Sequence, residues 1–260
     1  MRRWTWWVDA LLPLGLALVG LIAFEPAPWF RAIGLVFLGL STLVLGGAGV
    51  ATWLAERAPD RIQGPRRRPP PIGHEAFETA RAMFVAACLA AWPLSLHESG
   101  RPTGLVWDLA GRSVPGVVVG TLAGVVAMDA WLYWKHRLLH TRALFDFHRA
   151  HHTFRDPTPF AAFAVAPVEA LLTFWPILLL CAPWAVHWAP LYVGLVVGFV
   201  GLNLYLHCGV EVPALERLCR ASLLNSSAHH NVHHARVGVH FGEASFVWDH
   251  LCGTEQDAAR

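Results

Sequence analysis

Residues 114–140 read VPGVVVGTLAGVVAMDAWLYWKHRLLH, an apolar stretch that closes with two histidines four positions apart. Its apolar part runs to about Trp134, and about 20 mostly apolar residues suffice for a helix to cross a bilayer. On such a helix, positions separated by four, three and four residues share one face. That face carries Asp129, Tyr133, His136 and His140. The stretch therefore predicts a membrane-spanning helix whose end presents two imidazoles.

Five further apolar segments predict that the chain crosses the membrane six times. They lie at about residues 8–24, 29–54, 82–96, 168–186 and 190–206. Prolines interrupt two of them, at Pro93 and at Pro176 and Pro183, so four full spans with re-entrant helices is the second arrangement predicted. Only 15% of the residues are charged, against about 25% in soluble domains. The expected fold class is an all-α, polytopic membrane bundle capped by a cytoplasmic, helical, histidine-rich metal site.

The arginines set the expected sidedness, because cytoplasmic loops are rich in Lys and Arg. Segment 56–81 carries six arginines and the run Pro69–Pro71, whereas the loop between the first two spans carries Arg31 alone. This predicts that both termini and every histidine-rich segment are cytoplasmic. It also divides the chain into an N-terminal hairpin and linker, residues 1–81, and a catalytic domain, residues 82–260. No small-x-small cleavage site precedes Glu25, so the first span is expected to be retained. A net charge of +2 gives no reason to expect nucleic acid as a partner.

Two copies of the motif HxxHH supply most of the remaining histidines. They are 148–152 (HRAHH) and 230–234 (HNVHH), and His207 stands alone just after the last span. Clustered imidazoles repel one another when protonated and are costly to bury without partners when neutral, and a bound metal removes both problems. Nine imidazoles are too many for one ion with about four to six ligands. The sequence therefore predicts two metal ions, with the ligands His136, His140, His148, His151, His152, His207, His230, His233 and His234.

Six further side chains are candidates to orient these ligands or to add one: Asp129, Tyr133, Glu211, His229, His240 and Asp249. Glu211 lies one turn beyond His207, and a carboxylate there can ligate a metal or simply lie beside the site. Four other histidines are interpreted as ordinary loop or surface residues: His74, His97, His187 and His250. The five cysteines form no CxxC pair and are expected to be free thiols.

At these residues the chain resembles the fatty acid hydroxylase / sterol desaturase superfamily of membrane di-iron enzymes. That family is marked by HxxxH, then HxxHH, then a second HxxHH near the C-terminus, and the similarity extends over about residues 128–254. The run 151–161 (HHTFRDPTPFA) resembles the stretch that follows the central motif in sterol C5-desaturase-like members, and it slightly favours that branch. Ala166 and His240 depart from the pattern, since many members have a histidine at the first position and an Asn or Asp at the second.

The resemblance implies two iron ions as the cofactor, with O2 as the oxidant and two electrons from outside the protein. Zinc is the metal expected to replace iron during purification. The product would be a hydroxylated or desaturated lipid, and the lipid is left open among sterols, fatty acyl chains and related polycyclic, sphingoid, carotenoid or ether lipids. Since the sequence shows no flavin, haem or iron–sulfur motif, a separate electron donor is expected: a ferredoxin, a cytochrome b5-like protein or a reductase.

Three other functions fit part of the pattern. A membrane metal transporter would hold its site near mid-bilayer, whereas these histidines follow the ends of the spans. A haem electron carrier with paired axial histidines needs about four histidines on facing spans, not two HxxHH clusters. A membrane zinc hydrolase would carry HExxH or a serine nucleophile motif, and the sequence has neither. The lipid oxygenase is therefore the favoured prediction.

Overall fold

The computed structural model of the chain describes residues 3–58, 61–66 and 68–256. Nearly all regular structure in these ranges is helical. The α-helices, in chain order, are α1 (Arg3–Val19), α2 (Pro26–Ala55), α3 (Ile72–Glu98), α4 (Val114–Leu139), α5 (Phe145–His152), α6 (Pro167–Phe174), α7 (Ala189–Leu206), α8 (Pro213–Ala221), α9 (Ser227–Arg236) and α10 (Val247–Cys252). Short 3-10 helices lie at Gly20–Ile22, Pro159–Ala161 and Trp175–Cys181. Two short strands, β1 (Leu105–Val106) and β2 (His187–Trp188), pair in parallel.

Among the described residues, four helices are long and apolar enough to cross a membrane: α2, α3, α4 and α7. The surfaces of α2 and α4 present large apolar side chains, including Leu38 at 65% and Val119 at 64% exposure. Contiguous apolar surface of this kind is unfavourable in water and favourable in lipid. Helix α3 is the central one, since it packs against α1, α2 and α6. The chain is a helical membrane protein, which confirms the predicted all-α membrane fold, and the cytoplasmic placement of the histidine end stays a prediction.

Two predicted spans are shorter than a full crossing, namely α1 and the segment Pro167–Cys181. The second combines the eight residues of α6 with seven 3-10 residues, a rise of about 26 Å. Beyond its end, Gly104 donates its N–H to the Leu180 carbonyl at 2.8 Å and accepts the His187 N–H at 2.7 Å. Gly104 follows the far end of α3, so residues 167–187 return the chain from the histidine end of the bundle to the opposite end.

Helix α3 begins earlier than the predicted third span, at Ile72 rather than at about residue 82. The predicted linker therefore ends at the proline run. Residues 72–81 are helical because their polar side chains Glu75, Glu78 and Thr79 are buried against the rest of the bundle. Pro93 does not end the helix. The predicted domain boundary at residue 81 falls inside α3, and the division into two domains stays a prediction.

Candidate metal centre

Nine histidines converge at the end of the bundle where α4 and α7 terminate. They divide into two groups, within each of which the nearest ring nitrogens all lie within 4.8 Å of one another. The five-histidine group consists of His136, His140, His148, His152 and His233. The four-histidine group consists of His151, His207, His230 and His234. The structure thus brings together all nine histidines that the sequence predicts as ligands, and their binding of metal stays a prediction.

Each HxxHH motif is divided between the two groups. On α5 the outer histidines of the motif, His148 and His152, belong to the five-histidine group, and His151 turns to the other group. On α9 the assignment is reversed, since only His233 belongs to the five-histidine group. Residues i and i+4 differ by about 40° around a helix, whereas i+3 lies about 100° from i+4. The motif therefore directs ligands from one helix toward two neighbouring positions.

The rings turn their Nε2 atoms toward the centre of each group. Nε2 of His152 lies 3.0 Å from that of His148 and 3.2 Å from that of His233. In the four-histidine group, Nε2 of His230 lies 3.1 Å from that of His207. A neutral imidazole carries one proton, so a ring whose Nδ1 donates presents a lone pair at Nε2. Lone pairs this close repel one another unless a cation lies between them.

A loop after α9 fixes two rings of the five-histidine group. Nδ1 of His136 donates to the Phe241 carbonyl at 2.8 Å, and Nδ1 of His233 donates to the Val239 carbonyl at 2.7 Å. These carbonyls can only accept, so they place the proton on Nδ1 and leave both Nε2 atoms free to bind a cation. Main-chain carbonyls leave no signature in the sequence, so these two anchors could not be predicted from it.

Asp249 holds this loop in place. Its fully buried carboxylate accepts the N–H groups of Phe241 and Gly242 at 2.7 and 2.8 Å and the Thr254 hydroxyl at 2.7 Å. At Gly242 an added Cβ would overlap the Ser245 carbonyl oxygen, so the turn accepts only glycine there. Asp249 is therefore connected to His136 through the backbone rather than by direct contact.

Glu169 orients His148, and sequence analysis did not select it. Both carboxylate oxygens lie 2.8 Å from Nδ1 of His148, and Glu169 is 1% exposed. A carboxylate that accepts from Nδ1 directs the opposite nitrogen toward a metal and raises its basicity. The sequence does carry a signal, since Glu169 is the only Asp, Glu, Lys or Arg between Asp156 and Glu211.

The single lysine of the chain lies beside this carboxylate. Lys135 is buried, and its Nζ lies 4.0 Å from Glu169, 2.5 Å from Glu243 and 3.1 Å from the Thr173 hydroxyl. A buried ammonium requires carboxylate and hydroxyl partners of this kind, because an unpaired charge is costly to remove from water. The network therefore keeps two carboxylates at fixed positions beside the histidines of α4 and α5.

Carbonyl groups also anchor the four-histidine group. Nδ1 of His207 donates to the Asn203 carbonyl at 2.9 Å, one turn back along α7. Nδ1 of His151 lies 3.4 Å from the Ala164 carbonyl, in the loop between α5 and α6. Side chains from the N-terminal third of the chain hold that loop. Buried Glu75 on α3 accepts both the N–H and the hydroxyl of Thr158.

The predicted orienting residues of α4 bind the C-terminal segment instead of a histidine. Asp129 accepts the Ser245 N–H at 3.1 Å and the Trp248 indole N–H at 2.9 Å. The Tyr133 hydroxyl lies 2.9 Å from the Thr254 hydroxyl. The four residues do share a helix face, but the N-terminal part of that face, Asp129 and Tyr133, packs against α10 and the turns on either side of it. Tyr133 also packs against the ring of Phe241, whose carbonyl accepts from His136.

Three further candidates lie outside both groups. Glu211 is exposed at the start of the turn before α8. His229 and His240 stack on each other with ring centroids 3.6 Å apart, and Nε2 of His229 lies 3.6 Å from Asp249. His240 has a φ of 56°, and its Nδ1 donates to the His229 carbonyl at 3.0 Å. These contacts join α9 to the residues that follow it, and they do not reach the centre of either histidine group. The histidines interpreted as ordinary, His74, His97, His187 and His250, likewise belong to neither group.

Burial keeps the imidazoles beyond the spans neutral. It lowers the pKa of His140 to about 3 and that of His152 to about 2, and the neighbouring His233 ring lowers both further. Burial also lowers the pKa of His207 and of His233 to about 4. Neutral imidazole is the form that binds metal. Neutral rings, inward lone pairs and the anchored Nδ1 atoms of His136, His148, His207 and His233 together fit a transition metal such as Fe or Zn in each group.

A cavity of about 40 Å³ adjoins both groups. Histidines of the two groups form one side, Phe163, Phe174 and Phe199 form the apolar side, and the Lys135 network closes one end. The Phe163 ring contacts the other two, with centroids 6.4 Å apart for Phe163 and Phe174 and 6.3 Å for Phe163 and Phe199. The cavity admits a few water-sized groups, so a larger molecule requires these rings to move.

Known proteins resemble this region of the chain. Lathosterol oxidase of Rattus norvegicus is 31% identical over 140 residues, which cover 53% of this chain and 45% of that protein. A Delta(7)-sterol 5(6)-desaturase of Gibberella zeae is 33% identical over 127 residues, 48% of this chain and 34% of that protein. Methylsterol monooxygenase 1 of Rattus norvegicus is 29% identical over 139 residues, 52% of this chain and 45% of that protein. The chain thus matches less than half the length of these relatives. No solved structure matches it significantly.

The family model described as fatty acid hydroxylase matches residues 121–254. That range contains all nine clustered histidines together with Glu169 and Asp249. The names of the relatives place the similarity among sterol desaturases and oxidases. The chain belongs to the fatty acid hydroxylase family, and these relatives support the sterol desaturase-like branch.

Proposed function

We propose that this protein is a membrane lipid oxidase that holds two iron ions, one in the five-histidine group and one in the four-histidine group. The observation that carries the proposal is the division of nine inward-facing imidazoles into two adjacent groups beside one cavity. A site for a single ion does not need nine ligands. The family of the chain and the oxidases and desaturases among its relatives support the same reaction class.

Iron bound there would supply the activation of O2, with two electrons from a separate donor, for oxidation of an unactivated C–H bond. The residues of the chain would bind and orient. Carbonyls of Phe241 and Val239 and the carboxylate of Glu169 hold ligand rings with Nε2 inward. The phenylalanine side of the cavity would exclude water from the reacting carbon. Zinc can bind the same imidazoles and can substitute for iron in protein purified from cells that are not supplied with iron.

The substrate we propose is a sterol or a lipid of similar bulk. The apolar side of the cavity offers three aromatic rings to a hydrocarbon, whereas the polar end offers Lys135, Thr173 and Glu243 to an oxygen of the substrate. Phe174 and Phe199 belong to the return segment and to α7, which lie on the membrane side of the site. A lipid would therefore enter from the bilayer when these rings turn aside. Hydroxylation and desaturation both remain within the proposal.

We further propose that the histidine end faces the cytoplasm. Arg61 and Arg66 lie at this end of the bundle, where both pair with Asp156 at 2.8 Å. This orientation follows the excess of basic residues in cytoplasmic segments. Both termini and the metal centre would then be cytoplasmic, within reach of a ferredoxin, a cytochrome b5-like protein or a reductase. The catalytic unit we propose is residues 82–260, supported by the helices of residues 1–81.

Metal analysis combined with lipid analysis tests the proposal. The protein purified from cells supplied with iron should contain about two metal ions per chain, predominantly iron. Cells that express it should accumulate a lipid carrying a new hydroxyl group or double bond, and cells expressing His151→Ala should not. A matched variant, His187→Ala, changes a histidine at the opposite end of the bundle and should behave as the wild type.

Three results would contradict the proposal. One is a full complement of metal in His151→Ala, because that residue would then not be a ligand. Another is uptake of metal ions by sealed vesicles containing the protein with no change in any lipid, which is the behaviour of a transporter. A Soret band in the purified protein would indicate haem and would contradict it as well.

A further inference from the structure

Helix α1 carries one carboxylate in an otherwise apolar sequence. Asp9 is the only charged residue between Arg3 and Glu25. It is 4% exposed and faces the interior of the protein. An ionisable side chain within an apolar membrane helix is costly, and such residues commonly have a partner and a function. The residue lies outside the region matched by the family model, and the sequence analysis did not single it out.

The partner of Asp9 is the start of α6. Its Oδ1 accepts the N–H of Val168 at 3.2 Å, and Val168 is the second residue of that helix. The first N–H groups of a helix have no acceptor within the helix, and in an apolar setting they must find one elsewhere. Asp9 supplies that acceptor from a different helix. Its charged surroundings on α3 are Arg81 and Glu78, which pair with each other at 2.8 Å.

The residue that follows Val168 is Glu169, which holds His148. The chain of contacts runs from Asp9 to the Val168 N–H, along one residue to Glu169, and from both Glu169 oxygens to Nδ1 of His148 at 2.8 Å. Helix α6 is only eight residues long, so its first turn has little of its own helix to fix it. A displacement of that turn would move Glu169 directly.

We propose that Asp9 is a positioning residue for the five-histidine group. By fixing the first turn of α6 it keeps Glu169 against His148, so that the His148 ring presents Nε2 to the metal. Helix α1 then stabilises the metal centre through α6 and is more than a separate membrane anchor. This inference rests on the proposed function only in that both histidine groups are taken to bind metal.

Cobalt(II) binding to the full-length protein tests the inference without any catalytic assay. The visible absorption of bound Co(II) reports its ligand geometry, and titration gives the affinity of each of the two sites. Glu169→Ala should weaken one site by about 10- to 100-fold, the usual effect of removing a ligand's hydrogen-bond partner. Asp9→Ala should weaken the same site by about tenfold and change the same absorption band. The other site should be unaffected in both variants.

The double variant shows whether Asp9 acts through Glu169. If it does, Asp9→Ala combined with Glu169→Ala should bind Co(II) no more weakly than Glu169→Ala alone. Losses that multiply would overturn the inference, because they would mean that the two residues act independently. Unchanged Co(II) affinity in Asp9→Ala would overturn it as well.

Two further variants separate positioning from general damage to the bundle. Asp9→Asn keeps an oxygen acceptor for the Val168 N–H, so it should retain wild-type affinity, and a loss as large as that of Asp9→Ala would refute the inference. This variant also carries the test if Asp9→Ala does not fold. Thr52→Val removes a buried hydroxyl without a protein partner from the neighbouring α2 and should leave both sites unchanged. An equal loss of Co(II) affinity in Thr52→Val would mean that the loss in Asp9→Ala comes from a general change in packing.

The outcomes also distinguish this inference from the proposed function. A wild-type protein that binds no Co(II) contradicts the metal centre itself. A wild-type protein that binds two Co(II) ions, with Asp9→Ala identical to it, contradicts only the role of Asp9. Absence of a new lipid product in cells would contradict the proposed reaction and would leave the Co(II) comparison intact.

Discussion

His152 and His233 meet with their Nε2 atoms 3.2 Å apart, although 81 residues separate them in the chain. They come from different HxxHH motifs, His152 from α5 and His233 from α9, and each belongs to the five-histidine group. The contact therefore joins the two motifs into one site. His233 on α9 completes a group that α4 and α5 alone would leave open, and the 237–242 loop that anchors His233 therefore also shapes the group.

Replacing single histidines of α9 should remove metal from one group at a time. His233→Ala deletes a ligand of the five-histidine group and His234→Ala deletes one of the four-histidine group. Each variant should bind about one metal ion per chain, and their Co(II) spectra should lose different bands. Element analysis of the purified protein measures the metal content, and optical titration with Co(II) measures the spectra. Identical spectra in the two variants, or two ions retained in either, would show that the groups are not separate ligand sets.

The histidine cluster was predictable because motif spacing acts locally. On α5 the positions i, i+3 and i+4 place His148, His151 and His152 around one end of a short helix whatever the rest of the chain does. The prediction of two ions rests on the number of imidazoles. Which histidine belongs to which group did not follow, because that depends on how α5 and α9 are rotated against each other, a tertiary relationship that spacing does not encode.

The supporting residues were harder to predict for a different physical reason. The anchors of His136 and His233 are backbone carbonyls, which every residue has, so sequence carries no trace of them. Glu169 did carry a trace as a lone charge in an apolar run, and Asp9 carries the same one. Asp129 was predicted to orient a ligand because it shares a face with His136, but it lies about two turns away along α4, where α10 and the turn before it pack.

The helices whose apolar length suffices for a span were predicted from the sequence. Their bounds differ from the prediction where polar residues are buried. Helix α3 begins at Ile72 because Glu75 and Thr79 bind the 158–160 backbone, although they look like linker residues in the sequence. The segment after Phe174 was predicted as a span and is a 3-10 helix that starts at Trp175-Pro176. Proline at that position removes a donor that an α-helix would need.

Gly242→Ala should lower both stability and metal binding. An added Cβ there would overlap the Ser245 carbonyl oxygen and lie 2.8 Å from a carboxylate oxygen of Asp249. The turn must move, so the Phe241 carbonyl moves away from His136. We expect the free energy of unfolding to fall by about 1–3 kcal/mol, the usual cost of overpacking, with weaker Co(II) binding at the five-histidine group.

Gly238→Ala is the matched control for that change. It lies in the same loop, and the nearest atom to an added Cβ is the Arg236 carbonyl oxygen at 3.8 Å, an ordinary contact. This variant should unfold and bind Co(II) like the wild type. Equal losses in Gly238→Ala and Gly242→Ala, measured by chemical denaturation and titration, would mean that the whole loop, rather than the crowded turn, is sensitive to substitution.

Acid should destabilise the metal-free protein. Burial lowers the folded-state pKa of His207 and of His233 to about 4, against about 6.5 in an unfolded chain. Between these values the unfolded chain binds more protons than the folded one. Stability is therefore complete above about pH 6.5 and falls as the pH drops toward 4, by about 1.4 kcal/mol per pH unit for each such imidazole.

Denaturation of metal-free protein in detergent at pH 7.5 and pH 5.0 measures this effect. Protein loaded with Zn(II) is the comparison, since bound metal excludes protons from Nε2 and should hold the stability to a lower pH before it is released. Equal unfolding midpoints for the metal-free protein at the two pH values would contradict the burial of neutral imidazoles. A metal-loaded protein that follows the same curve as the metal-free one would contradict binding at these rings.

Shortening an aromatic side chain of the cavity should change which lipids are oxidised. Phe199→Ala removes one of three rings on the apolar side and enlarges the space beside the histidines. Bulkier lipids should then gain in relative kcat/KM over the natural substrate, while metal content stays at the wild-type level. Phe84→Ala is the matched control, because Phe84 packs against Phe37, with ring centroids 5.8 Å apart, and does not line the cavity.

The two variants lose a similar amount of apolar contact, so both should be less stable than the wild type. In competition assays with mixed lipids, only Phe199→Ala should alter the product profile. A parallel shift in Phe84→Ala, or unchanged selectivity in Phe199→Ala, would place the lipid somewhere other than against this aromatic wall.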